Sequence, residues 1–243
     1  MSHVVKDTGR WNIDIDTRTG KIFLQMRWQY TWETTPTVTK WTYAEKKRFH
    51  TRVDQIIWGA WSQRINLRAT GTNDICKKFA GQPLPIDFDV QWVTVRPHWS
   101  VKAVKLPPHA SVTSFVNWST KEIQLDTNDF APHTACDDEA PKPGMELPFL
   151  IIPPLIRDSV PAVREAVVDQ SCREGFRTVP HEFGHALGNN NGDEYRANSA
   201  NRADTDSLLN IGSQLRDRHL NDVLAELNTM IKDCTFEVHS IRN

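Results

Sequence analysis

The chain has 243 residues, 39% of them hydrophobic and 24% charged, with 29 Lys and Arg against 30 Asp and Glu. That length buries a sizeable core without staples, and the composition excludes collagenous, low-complexity and wholly disordered classes. A net charge of −1 with both signs scattered leaves no basic stripe for nucleic acid; no apolar window is long enough to span a membrane, and the start, Met1 to Asp7, lacks the apolar core of a signal peptide.

All nine tryptophans fall between Trp11 and Trp118, so the chain is compositionally two-part. Alternation over Asn12–Asp16 and Lys21–Trp28, broken at Thr19-Gly20, predicts a β-hairpin. Thr42 and Glu45 then form a capping box, and Phe49, Val53, Ile56, Ile57 and Ala60 recur on one face of the helix that it opens. Segments near Ile65–Arg68, Ile86–Val95, Ser100–Val104, Val112–Trp118 and Lys121–Asp126 read as further strands. Seven of the fourteen prolines crowd into Pro132–Pro161, which predicts a long loop crossing one face, followed by a short helix over 161–169. Near the end, Leu220, Val223, Leu224, Leu227 and Ile231 predict an amphipathic helix. The cysteines Cys76, Cys136, Cys172 and Cys234 have no CxxC spacing. They read as four buried thiols or two long-range disulfides, and thiols are the simpler reading in a chain that needs no cross-links.

Residues 178–195 carry the chemistry. They contain His181-Glu182-Phe183-Gly184-His185, in which histidines four apart share one helix face and can share one metal ion. Neutral imidazole suits zinc, and a catalytic zinc site takes three protein ligands plus an open position for water. Glu182, one residue round from His181, reaches that water as general base. From this chain's His and Glu content, chance supplies roughly 0.015 such pentapeptides. Phe176, Val179, Phe183 and Leu187 give the helix an apolar face, Gly188 stands where it stops, and Pro180 fits its first turn if Thr178 caps it.

His181-Glu182-Phe183-Gly184-His185-Ala186-Leu187-Gly188 resembles the active-site helix of zincin metallopeptidases, and the glycine after the second histidine resembles the metzincin branch. In that branch the third ligand falls three residues after Gly188, where this chain has Asn191, a poor zinc ligand. Asp193-Glu194-Tyr195 follows, and a Gly…Asp-Glu-Tyr ending after HEFGH resembles zincins with an acidic third ligand, including metallopeptidase toxin domains delivered by bacterial secretion systems. The resemblance favours Asp193 as third ligand, with Glu194 as the alternative; the other carboxylate would orient a histidine. It puts Leu209 where metzincins place a methionine beneath the metal. Tyr195 and His219 are candidates for stabilising the developing oxyanion, against packing or capping roles. His3, His50, His98, His109, His133 and His239 have no partner at ligand spacing and read as structural or exposed.

The resemblance therefore implies an α+β, zincin-like domain spanning 1–243. It has a Trp-rich upper part over 1–130 with a twisted, mostly antiparallel sheet, the Pro-rich loop and short helix over 131–170, and the active-site helix and a C-terminal helical part over 171–243. Its expected activity is hydrolysis of peptide bonds by zinc-activated water. Lys121–Asp126 is the expected edge strand for an extended substrate. Expected partners are a protein or peptide substrate and an inhibitor, immunity protein or secretion carrier. The expected location is outside the producing cell, reached without a signal peptide, or the cytoplasm. Rival readings are a zinc amidase acting on peptidoglycan stem peptides and a non-catalytic, zinc-stabilised binding module.

Overall fold

The computed structural model describes residues 2–136, 172–190, 192–196 and 198–243. Most of the Pro-rich stretch, the short helix expected over 161–169, and Asn191 lie outside them.

β1 (His3–Asp7) and β2 (Asn12–Asp16) pair antiparallel, and β2 pairs antiparallel with the start of β3 (Ile22–Thr34), Asn12 opposite Gln25 and Ile15 opposite Ile22. The second pairing is the hairpin that the alternation predicts; β1 is an addition to it. The turn needs Gly20, whose φ is +75° and where a Cβ would press on Leu84 and Phe79. Ile22, Leu24, Met26, Trp28 and Tyr30 are buried and the residues between them are not, the two-residue period of a strand with one face on the core.

The helix α1 (Tyr43–Trp61) starts with the expected capping box: Glu45 N–H donates to Thr42 Oγ1 at 3.2 Å and Thr42 N–H to the Glu45 carboxylate at 2.8 Å. It buries Phe49, Val53, Ile57 and Trp61. The chain continues through β4 (Ile65–Gly71), α2 (Asp74–Lys78), β5 (Leu84–Trp92), β6 (Trp99–Lys105), β7 (Phe115–Asn117), β8 (Glu122–Asp126), β9 (His133–Cys136), β10 (Cys172–Phe176) and α3 (Thr178–Leu187). A 3-10 turn at Asp217–Leu220, α4 (Asn221–Leu227) and β11 (Cys234–Ile241) complete it.

The main sheet runs β11-β4-β5-β3-β6-β8-β7, with β2 and β1 attached beside β3. The fold is mixed α and β around this sheet, and most of its strand pairs are antiparallel, as expected, but a parallel block at its centre is an addition to the expectation. β5, β3, β6 and β8 are parallel neighbours, with Trp28 opposite both Trp92 and Trp99. Parallel neighbours require crossovers, and the passage through α1, β4 and α2 supplies the one from β3 to β5. Antiparallel pairing joins β1 to β2, β2 to β3, β5 to β4, β4 to β11, and β8 to β7. Lys121–Asp126 is likewise not the edge: β7 lies outside β8, with Val116 opposite Ile123.

The C-terminal part is also less helical than expected. α4 ends at Leu227, and β11 joins the sheet against β4, Phe236 opposite Ala69. Cys76 in α2 and Cys234 at the start of β11 form a disulfide with Cα atoms 5.9 Å apart, which corrects the reading of these two as thiols. Both are buried where α2 packs on that strand.

Candidate metal centre

Every residue of α3 from Val179 to Leu187 is buried. The expected Thr178 cap is not what starts it: Thr178 is the first helical residue and Arg177, without a side-chain bond, precedes it. Pro180 still stands in the first turn, where a missing N–H costs nothing because it had no partner. Two tryptophans from the upper part hold the helix by its carbonyls. Trp61 Nε1 donates to Pro180 O at 3.1 Å and Trp118 Nε1 to His185 O at 2.9 Å. Gly184 allows the close approach, since a Cβ there would lie 2.6 Å from Leu209 Cδ2 and 3.0 Å from Trp61 Cζ2. Leu209, 1% exposed, is thus an apolar floor beneath the helix. Gly188 ends the helix at φ +144°, a conformation closed to residues with a side chain, and Asp222 fills the space where a Cβ would stand.

His181, His185 and Asp193 converge. His181 Nε2 and His185 Nε2 are 3.1 Å apart, and Asp193 Oδ1 lies 3.0 and 3.1 Å from them. The other ring nitrogens fix the tautomers. His181 Nδ1 meets Leu208 O at 2.8 Å and His185 Nδ1 meets Asn189 O at 2.6 Å. Carbonyl oxygens only accept, so each Nδ1 carries the proton and each neutral Nε2 presents a lone pair to the group. Two lone pairs and a carboxylate oxygen aimed at one point repel unless a cation stands among them. Three donors held about 2.0–2.1 Å from a tetrahedral zinc would be separated by about 3.3 Å, close to the distances seen. These residues therefore can hold a metal ion.

Glu182 and His185, each 7% exposed, and His181, 2% exposed, line an open cleft of about 760 Å³ with Asp193. Burial pushes the Glu182 carboxyl above the ordinary range; the positive charge that His181 and His185 can carry opposes this, and Asp193 adds to it. For Asp193, burial works against the charged form. A proton on either Nε2 would outweigh it through a hydrogen bond and positive charge and hold the carboxyl far below the ordinary range, the same sign of effect that a cation at that point would have.

The other candidates separate from this group. Glu194 points its carboxylate at Arg218, with Nε at 2.7 Å and a second guanidinium nitrogen at 2.8 Å, so it anchors the ligand loop instead of joining the ligands. His219 does not face the cleft, which corrects its reading as an oxyanion group. It is 1% exposed, meets Ser207 Oγ at 3.0 Å and accepts from Arg216 N–H at 3.2 Å, and burial above all drives its pKa down to about 3. Its role is to brace the segment that offers Leu208 O to His181. Tyr195 does line the cleft.

The cleft also brings in residues that local pattern does not mark. His109 and His133, both exposed as expected, line it. The His133 ring packs edge-on to Phe176 at 5.1 Å, and Phe176 packs in the same way on His181 at 5.0 Å. Opposite α3 stand Ser114, Asp126 and Asp129. Asp129 accepts from Ser114 Oγ and from Asp126 N–H, both at 2.7 Å. Burial, with Asp126 and Glu182 adding negative charge nearby, raises its pKa to about 7 although those hydrogen bonds oppose it. The one sequence signal for this wall is the turn-forming run Asp126-Thr127-Asn128-Asp129. No family model, curated protein or solved structure matches the chain.

Proposed function

We propose that the chain is a zinc-dependent metallopeptidase with His181, His185 and Asp193 as ligands and Glu182 as general base. The observation that carries this is the meeting of two imidazole lone pairs and one carboxylate oxygen at about 3 Å, beside a buried carboxylate that is not one of the three. A zinc ion in such a site supplies Lewis-acid chemistry, activating water and polarising the carbonyl to be attacked. Glu182 takes the proton from the water and passes it to the leaving amine, a task that its raised affinity for protons suits. Tyr195 lines the same cleft, which supports its candidacy as a donor to the developing oxyanion.

A three-donor set with a base alongside favours catalysis over a zinc that only stabilises the fold, since structural sites close with four protein ligands. β7 lines the cleft and ends the sheet, and among the described residues no strand pairs with its outer edge. An extended peptide adding there would cross the metal group. The disulfide Cys76–Cys234 supports a working place in oxidising surroundings, in keeping with an effector delivered out of the producing cell. Among the described residues no helix is long and apolar enough to cross a membrane. Zinc content and digestion of a peptide library by the wild-type chain, a chelated sample and Glu182→Gln test the reading. Cleavage that needs both zinc and Glu182 supports it; full activity in Glu182→Gln overturns it.

A further inference from the structure

We infer that Arg196 is a positioning residue for the metal, holding Asp193 to the ion by one oxygen alone. The inference rests on the metal reading above. The two oxygens of Asp193 have different partners. Oδ1 faces His181 and His185, whereas Oδ2 accepts a hydrogen bond from Arg196 Nε at 3.2 Å and has the charged Arg196 Nη2 3.1 Å away as an ion-pair partner. The hydrogen bond and the guanidinium charge both lie on Oδ2, and the planar group holds them there in a fixed geometry. An oxygen so engaged is drawn away from the metal.

The local chain is built for this contact. Gly192 has φ +84°, a conformation that residues with a side chain rarely adopt, and the Arg196 guanidinium carbon lies 3.4 Å from where its Cβ would stand. A turn returns Arg196 N–H to Asp193 O at 3.3 Å, so the guanidinium lies over the carboxylate three residues before it. From the other side Glu194, held by Arg218 and with its N–H on Leu209 O at 2.8 Å, fixes the backbone that carries Asp193. The loop therefore presents Oδ1 and retains Oδ2. The chemical consequence is a coordination number. One oxygen from Asp193 plus two nitrogens leaves a fourth position open, while a carboxylate binding through both oxygens would crowd it.

Cobalt(II), which substitutes for zinc and whose visible absorption reports coordination number, tests this on the full chain. The wild type is expected to give the intense spectrum of four-coordinate cobalt and Arg196→Ala the weaker spectrum of five or six coordination. Arg196→Lys, which keeps a donor on Oδ2, is expected to restore the wild-type form. Arg196 has a side chain 59% exposed, so the variants are expected to fold, as far-UV circular dichroism checks. Identical spectra for wild type and Arg196→Ala, with both loaded, overturn the role of Arg196 and leave the metal reading standing. A folded wild type that takes up no cobalt and no zinc overturns both.

Discussion

Trp118 donates its indole N–H to the carbonyl oxygen of His185 at 2.9 Å, so a residue just beyond β7 holds the backbone of a ligand on α3. The bond ties the cleft's outer wall to its floor. It adds a second donor to a carbonyl that also accepts from Gly188 N–H at 3.1 Å. Trp118→Phe keeps most of the apolar area and removes that second donor. The expected cost is about 1 kcal/mol of stability together with weaker metal retention, read by thermal melting and by competition with a chelator.

Asp193→Ala is expected to abolish tight zinc binding, as are His181→Ala and His185→Ala. Glu194→Ala is expected to keep the ligand set and to lose stability instead, by about 2 kcal/mol, because the partly buried Arg218 is left with Asp204 alone of its two carboxylates. Metal analysis beside denaturant unfolding separates the two outcomes. Zinc lost from Glu194→Ala and kept by Asp193→Ala would reverse the assignment.

Glu182→Gln keeps the size of the side chain and removes its basicity. Zinc content is expected to stay at the wild-type level while kcat falls at least about a hundredfold. Equal kcat would move the base elsewhere on the cleft wall.

Asp129 gives a signature in pH. Its folded pKa of about 7 lies above the ordinary value of 3.8, so the native state binds the proton more tightly than the unfolded chain does. The stability it contributes is fully present below about pH 4 and is lost as pH rises towards 7, by roughly 4 kcal/mol at one pKa unit per 1.4 kcal/mol. Asp129→Asn keeps an acceptor for Ser114 and Asp126 and does not titrate. Its stability relative to the wild type is expected to climb between pH 4 and 7 and to level off above. A constant difference across that range would count against a buried, proton-holding Asp129.

The Cys76–Cys234 bond joins residues 158 apart in sequence. A loop of that length implies about 4 to 5 kcal/mol lost on reduction if the unfolded chain is otherwise unconstrained. Dithiothreitol and the Cys76→Ser, Cys234→Ser double variant are expected to lower the melting temperature alike. An unchanged melting temperature would mean that this bond does not form.

How far the sequence discloses this arrangement depends on the range of each interaction. The hairpin, the Thr42 and Glu45 box and the His181, Glu182, His185 face follow from neighbours within five residues, and all three are legible. Parallel pairing is not, because Trp28 meets Trp92 and Trp99 across long crossovers that leave no local trace. β11 had a signal: Phe236 and Val238 alternate with polar residues, but the helical spacing of Leu220 to Ile231 just before them suggests that the helix dominates the end. The partners that set the two histidine tautomers, Leu208 O and Asn189 O, are backbone atoms. No side-chain motif can encode them. Asp193 and Glu194 are equivalent as letters and differ through Arg218, 24 residues further on.

The position of β3 at the heart of the sheet sets an order of assembly. Its apolar row leaves the ribosome well before β5 and β6, the strands that flank it, so nascent chains carry an unsatisfied strand while some seventy more residues are made. The carbonyl of Leu208 that orients His181 emerges later still, and β11 closes the far edge last. A cleft of this construction gains its ligand geometry only after Leu208 has been made, long after the strands of its outer wall.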